Sequence, residues 1–172
     1  MVARANINLE KGFTLIELLV TITIVALLSS IAIPAFNQHK ESAKIAKVQS
    51  ELHNIVLAIN VLEADTNTSP GGFDSSPCVE LAPGNEMAVD DCSAGLTCTD
   101  GSFPNWSGPY LSEAVTTDPW GTKYQYDMDY LCNDDVKGCK GNEWSRTVNS
   151  AGKDRVVNNY DATEIALVIC SI

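Results

Sequence analysis

Three groups of residues in this chain have chemical reach: a carboxylate set inside an apolar run, cysteines spread through a polar region, and acids gathered towards the C-terminus. Glu17 stands near the start of Phe13–Phe36, which reads FTLIELLVTITIVALLSSIAIPAF. A carboxylate at mid-depth in a membrane helix costs about 2.5–3.5 kcal/mol, and less near the edge. A cation or a donor must offset that cost. Six cysteines, Cys78, Cys92, Cys98, Cys132, Cys139 and Cys170, all follow the run, and none forms a C-x-x-C pair. An even number dispersed in loop-like sequence points to disulfides in an oxidising compartment, whereas a zinc site wants tight paired spacing. Asp154, Asp161 and Glu164 lie before the last apolar segment. A second acidic group, Asp127, Asp129, Asp134 and Asp135, lacks the glycine and terminal glutamate of an EF-hand loop and reads as solvated surface. His39 and His53 stand fourteen residues apart on one helical stretch, too far to share a metal within one chain. No P-loop, G-x-G-x-x-G, H-E-x-x-H or G-x-S-x-G pattern occurs, and no nucleophile–base pair suggests itself. The expectation is that the chain is not an enzyme.

These residues are positioned by two kinds of sequence. The apolar run exceeds the roughly 20 residues that span a bilayer as a helix. The leader before it, MVARANINLEKG, carries Arg4 and Lys11, so the N-terminus is expected inside and the C-terminal region outside. A secretory signal would have a shorter apolar core and a small-residue cleavage site; Ala32-Ile33-Pro34-Ala35 imitates one weakly, but the length and Glu17 argue against it. Beyond Pro34, which can bend or locally melt a helix, the pattern stays helical. Ile45, Val48, Leu52, Ile55, Ile59 and Leu62 recur at steps of three and four, leaving Lys40, Glu41, Lys44, Lys47 and Glu51 for the wet faces. The helix is predicted from about Thr14 to about Ala64.

From Asp65 the signals are turns and short strands. Gly71 to Ser107 is loop-rich and expected to be pinned by Cys78, Cys92 and Cys98. Strands are predicted at Lys123–Tyr126, Arg146–Asn149 and Ile165–Cys170. The expected fold class is α+β: a long N-terminal helix, transmembrane in its first half, packed on a small antiparallel sheet. Six cysteines allow 15 pairings. Cys132 with Cys139 is the first expectation, because Asn133 to Gly138 can form a hairpin-like loop. A net charge of −11 argues against nucleic acid as a primary partner.

Lys11-Gly12-Phe13-Thr14-Leu15-Ile16-Glu17, continuing through Leu18-Leu19-Val20 to Pro34, resembles the processing site of type IV prepilins and of the pseudopilins of type II secretion. The resemblance implies a prepilin peptidase that cuts after Gly12 and methylates Phe13. It implies residues 1–12 as a cleaved leader, 13–64 as the N-terminal helix, membrane-spanning at 13–36, and 65–172 as an extracytoplasmic head. Glu17 would then pair with the Phe13 ammonium of a neighbouring subunit, and Pro34 would be the kinking proline of the assembly segment. Implied partners are copies of the chain, minor pilins or pseudopilins, the peptidase, an inner-membrane assembly platform, and lipid before assembly.

The head carries a second resemblance, to the major (G-type) pseudopilin. It rests on Gly108-Pro109-Tyr110-Leu111, Asp118-Pro119-Trp120-Gly121-Thr122, Tyr124-Gln125-Tyr126 and Ser150-Ala151-Gly152-Lys153-Asp154. By position it implies calcium on Asp154 and Asp161, with Glu164 a further candidate. Arg155 stands where a glycine is usual, and Val156-Val157-Asn158-Asn159 replaces a Gly-rich stretch. Disulfides could serve as the staple in place of the metal. The pilin-like fold supports two filament functions, a secretion pseudopilus and a surface type IV pilus for adhesion, motility or DNA uptake. A signal-anchored periplasmic binding module is the alternative from another class. The subunit is expected in the inner membrane before assembly, and then in a periplasmic or cell-surface filament.

Overall fold

A computed structural model describes residues 12–73, 86–132, 134–139, 143–156 and 162–171, leaving aside the side chains of 31–35, 143–144 and 170–171. The chain divides into two compact units, Met1–Ser42 and Ala43–Ile172. The boundary falls inside the helix, so the second half of the helix belongs to the same unit as the head.

Helix α1 spans Leu15–Thr66 without interruption. Its N-terminus is a capping box. Glu17 N–H donates to Thr14 Oγ1 at 3.3 Å, and Glu17 Oε2 accepts from Thr14 N at 2.8 Å and from Thr14 Oγ1 at 2.7 Å. In the first unit the apolar residues from Phe13 to Leu28 face outwards; Phe13 is 91% exposed. Among the described residues no helix is long and apolar enough to cross a membrane. The 13–36 run read from the sequence includes 31–35, whose side chains, Pro34 among them, lie outside the description. Residues 1–11 lie outside it as well.

In the second unit the stripe is buried as its spacing predicts. Val48, Leu52, Ile55, Ile59 and Leu62 are at most 1% exposed, with Ile45 packed at the edge of their cluster. They pack against Tyr124, Tyr126, Met128, Val148 and Ile165 of the sheet side and against Leu96, Phe103, Leu111 and Trp120 of the loops. Each such side chain contributes about 1.5–3 kcal/mol on burial. His39 and His53 are exposed.

The sheet has four antiparallel strands in sequence order: β1 (Met87–Ala88), β2 (Gln125–Cys132), β3 (Glu143–Ser150) and β4 (Ile165–Ser171). β3 and β4 contain the predicted strands. β2 runs well past the predicted Lys123–Tyr126, because Asp127 and Asp129 are strand residues. They are buried, 1% and 7% exposed, and not solvated as their acidity suggested; Asp134 and Asp135 do face solvent. A register shift between Asp127 and Tyr130 accommodates the pair, with Asp129 N–H donating to Asp127 Oδ1 at 2.9 Å. β1 is two residues long, too short for an alternation signal.

Polar ties flank the apolar stripe. The Tyr124 hydroxyl donates to Glu51 Oε2 at 2.7 Å, and burial followed by this carboxylate pushes its pKa far up. Arg146 pairs with Glu63 at 3.0 Å and donates to Ser69 Oγ at 2.9 Å, and Ser69 donates to Glu63 at 2.6 Å. Lys44 lies over the Trp120 ring, 5.4 Å from its centroid. Burial likewise pushes the Tyr126 hydroxyl up to about 12.

Gly152 follows β3 at φ +71, and a Cβ there would lie 1.8 Å from the Thr163 carbonyl oxygen. Gly152→Ala is expected to lower stability by more than about 1 kcal/mol, since both the backbone conformation and the approach of a second backbone forbid the methyl. Urea unfolding of the two proteins checks this; equal midpoints would show that the turn relaxes freely.

Candidate functional site

The N-terminal residues singled out by sequence are partly described. Gly12 is exposed and has no atom within 4 Å of an added Cβ, so its backbone is open to close approach. Glu17 is not a bare charge in an apolar run. The Thr-x-x-Glu spacing of Thr14 and Glu17 is legible in the sequence as a capping signature, and the sequence reading passed over it. Three hydroxyls along this segment are also satisfied locally: Thr21, Thr23 and Ser30 donate to the carbonyls of Leu18, Val20 and Leu27 at 2.8, 2.8 and 2.7 Å. These three hydroxyls thus bond within the helix, and the apolar side chains around them are exposed.

In the head, Asp118 joins two of the motifs. Its Oδ1 accepts from Trp120 N at 3.0 Å and from Thr122 N at 2.9 Å, closing the Asp-Pro-Trp-Gly turn. Its Oδ2 accepts from Ser150 Oγ at 2.7 Å, and Ser150 Oγ in turn accepts from Gly152 N at 3.1 Å. The carboxylate is 4% exposed, and Trp120 plugs the core beneath it. Gly108-Pro109-Tyr110-Leu111 docks through Tyr110 N and Leu111 N on the Leu96 carbonyl, at 2.8 and 3.0 Å. Tyr110 Oη and Ser107 Oγ both reach Asp65 at the end of α1, at 3.1 and 2.6 Å.

Cys92–Cys98 and Cys132–Cys139 are disulfides, the second being the pair expected from its intervening loop. These four sulfurs are therefore not metal ligands. Cys78 and the side chain of Cys170 lie outside the described residues. The Cys132–Cys139 loop docks on β4: Lys137 N donates to the Glu164 carbonyl at 3.2 Å, and Ala166 N to the Lys137 carbonyl at 2.8 Å.

Of the expected calcium ligands, Asp154 and Glu164 are described. Asp154 is exposed, and its Oδ1 accepts from Val156 N at 2.9 Å in a turn where Arg155 takes φ +65. Asp161 lies outside the described residues. Glu164, fully buried, accepts from the Tyr130 hydroxyl at 2.6 Å, so it fastens β4 to β2 and is no open ligand. Among the described residues no group of three His, Cys, Asp or Glu side chains is placed to hold a metal. The described donors therefore do not by themselves form a calcium cage, which needs six to eight oxygens. An open cleft of about 400 Å³ is lined by Asp90, Thr97, Cys98, Glu113, Thr116, Thr117 and Lys123, and its lysine is paired with Asp90.

Two family profiles match the chain. Residues 7–33 match the prokaryotic N-terminal methylation motif, and residues 89–163 match type II secretion system (T2SS), protein G. The chain is thus similar to type IV pilins at its N-terminus and to the protein G pseudopilins in its head. Relatives of both branches are found. The type IV major fimbrial protein FimA of Dichelobacter nodosus is 30% identical over 92 residues, 54% of this chain and 55% of that protein. The type II secretion system core protein G of Pseudomonas aeruginosa is 24% identical over 118 residues, covering 68% of this chain and 72% of the relative. That of Klebsiella pneumoniae is 28% identical over 116 residues, covering 67% and 73%. The chain thus spans little more than half of the fimbrial protein and about three quarters of the core proteins. No solved structure matches. Within the head, the protein G match covers both motifs that Asp118 joins.

Asp118→Ala would leave the Ser150 hydroxyl and two backbone N–H groups short of their acceptor. Each buried unsatisfied group costs about 1–3 kcal/mol, so the head is expected to lose about 3 kcal/mol or more. Chemical denaturation measures the loss; a change below about 0.5 kcal/mol, the range of surface substitutions, would show that the tie between the motifs is dispensable.

Proposed function

We propose that this chain is a structural subunit of an extracytoplasmic filament, and that the filament is the pseudopilus of a type II secretion system. The observation that carries this is the union, in one chain, of a methylation-motif N-terminus and a protein G-type head. The precursor sits in the inner membrane through residues 13–36, with the head outside. The back-bonded Thr21, Thr23 and Ser30 support this reading, since a helix in lipid must satisfy its polar groups internally. A prepilin peptidase cuts after Gly12 and methylates Phe13. The new ammonium lies four residues before Glu17. In the filament Glu17 accepts it from a neighbouring subunit, while its own capping box keeps the carboxylate at the edge of the apolar segment. Minor pseudopilins and an assembly platform complete the set of partners.

A surface type IV pilus is the second reading, favoured by the fimbrial relatives. Deleting the gene separates the two. Loss of proteins from the culture medium with pili intact supports the pseudopilus; loss of surface fibres with secretion intact supports the pilus. A binding module held by an uncleaved signal anchor would carry no N-methylated Phe13.

Gly12→Leu is expected to leave an uncut precursor in the membrane fraction, whereas Glu17→Ala is cut normally but assembles poorly. The lost pairing is worth a few kcal/mol per contact, about 3–5 if fully buried. Mass spectrometry of the N-terminus and filament yield read the two effects. A normal mature N-terminus from Gly12→Leu defeats the processing assignment, and wild-type yield from Glu17→Ala defeats the pairing.

Calcium on Asp154 and Asp161 remains part of the proposal, set against a head held by its disulfides. An ion that binds only the folded state stabilises it by mass action, about 2.7 kcal/mol at a hundredfold excess over Kd. Chelation is then expected to lower the melting temperature of the oxidised protein, and Asp154→Ala to abolish that response. Identical melts in chelator and in millimolar calcium favour the disulfides alone.

A further inference from the structure

The centre of β2 holds two acidic side chains, and one oxygen of the first is buried without a hydrogen-bond partner. Asp127 is 1% exposed, and Asp129, two residues on, is 7% exposed. Asp127 Oδ1 accepts from Asp129 N at 2.9 Å, while Asp127 Oδ2 is buried without a hydrogen-bond partner. Directly across the ladder sits Thr147, fully buried, whose Oγ1 also has none. Tyr126 and Val148, the adjacent cross-strand pair, point into the helix-side core, so Asp127 and Thr147 leave the sheet on the other face. Among the described residues the charged groups beside Asp127 are Asp129 on its own strand and Glu86 just before β1. β3 presents the uncharged Thr147, and the Cys132–Cys139 loop turns Asp134 and Asp135 to solvent.

An ionised carboxylate in this position would leave one buried oxygen unsolvated among like charges, which is costly unless something neutralises it. We propose that a proton neutralises it: Asp127 stays protonated in the folded head at mildly acidic pH, paired with Asp129, and its ionisation towards neutral pH weakens the bulged centre of β2 and the β1 edge beside it. β1 has only two paired positions, Met87 with Tyr126 and Ala88 with Gln125, and these end next to Asp127. The edge strand therefore has little else to hold it when the bulge is strained.

The electrostatics agree with the geometry. Burial pushes the Asp127 carboxyl up; the Asp129 N–H pulls it back, and the Asp129 side chain and the charge of Glu86 push it further, to about 7. An unfolded aspartate ionises near 3.9. The folded state therefore holds the proton more tightly. The stability linked to it is fully present below about pH 4, is lost as pH rises towards 7, and changes no further above that. This is opposite in sign to the usual aspartate, and it makes a head that is firmer in a mildly acidic medium than in a neutral one.

The test uses the full chain, oxidised, in detergent micelles. Melting temperatures of wild type and Asp127→Asn are compared from about pH 4 to 8. Asparagine copies the shape and neutrality of the protonated acid. The two should melt together at the acid end, and the variant should melt higher by several degrees at the neutral end, the gap levelling off above about pH 7. Carbon NMR of the Asp127 carboxyl in wild type should show it protonated at about pH 5, above the usual aspartate range. Asp129→Asn should move its midpoint to lower pH. Should Asp127→Asn not fold, the titrations of wild type and Asp129→Asn decide alone. A carboxyl already ionised at about pH 5, or a melting difference independent of pH, overturns the proposal. So does a midpoint that millimolar calcium lowers and chelator restores, which would make the pair a cation site.

Discussion

The packing of one helical stripe on one face of a four-stranded sheet is the contact on which the head depends. Val48, Leu52, Ile55, Ile59 and Leu62 provide almost all of the helix side of the core. The sheet side comes from β2, β3 and β4, whose own pairing is completed by loops. Because the stripe is a single row, the helix could roll about its axis without losing all of its apolar contact. The flanking polar ties remove that freedom. Glu51 with Tyr124, Glu63 with Arg146 and Ser69, and Asp65 with Ser107 and Tyr110 join helix to head, the last two at the helix end. The Arg146–Glu63 pair is partly buried, so its net contribution to stability is small, but losing one partner would strand the other. Such a tie serves better to fix an orientation than to add strength.

The chain faces two environments in succession along its length. The first unit exposes a run of large apolar residues and bonds its hydroxyls back onto its own carbonyls. The second covers its core with turns, disulfides and acids. This division places the large apolar surface on the first half of the helix and the charged surface on the head. Glu17 has its place where the first unit begins. Its capping bonds with Thr14 are available within one chain, and its pairing with a neighbour's ammonium would be available only in the assembly.

Carboxylates show how one residue type takes different roles. Asp134 and Asp135 are solvated. Asp91, Asp100 and Asp154 accept N–H groups two residues on and shape exposed turns. The Ser93 N–H holds the Asp91 carboxyl below its usual pKa, and the Ser102 hydroxyl followed by the Ser102 N–H does so for Asp100. Asp118 and Glu164 are buried with hydroxyl donors and bind one segment to another. Asp127 is buried with one oxygen unmatched. Nothing in the local sequence separates these cases, because the donors that decide them come from residues up to 34 positions away.

Periodicity and motif carried the sequence reading where the physics is local. The three-and-four spacing of the stripe specified the buried helix face, since a helix of 3.6 residues per turn brings those positions together whatever lies opposite. The Phe13–Phe36 run, the Gly12–Glu17 motif and the head signatures identified the family. Ile165 to Cys170 read as a strand from composition, and Cys132 with Cys139 read as a pair because the loop between them is short. Tertiary structure decided what depends on distant partners. Asp127 and Asp129 lie inside β2, although their acidity suggested a wet surface, because β3 offered a register and a bulge absorbed the mismatch. Glu164 became a buried acceptor for Tyr130. Asp118 and Ser150, 32 residues apart, met in one hydrogen bond that no spacing rule anticipates. Local propensity specifies which surface an element offers; only the closed fold determines which charges are left facing water.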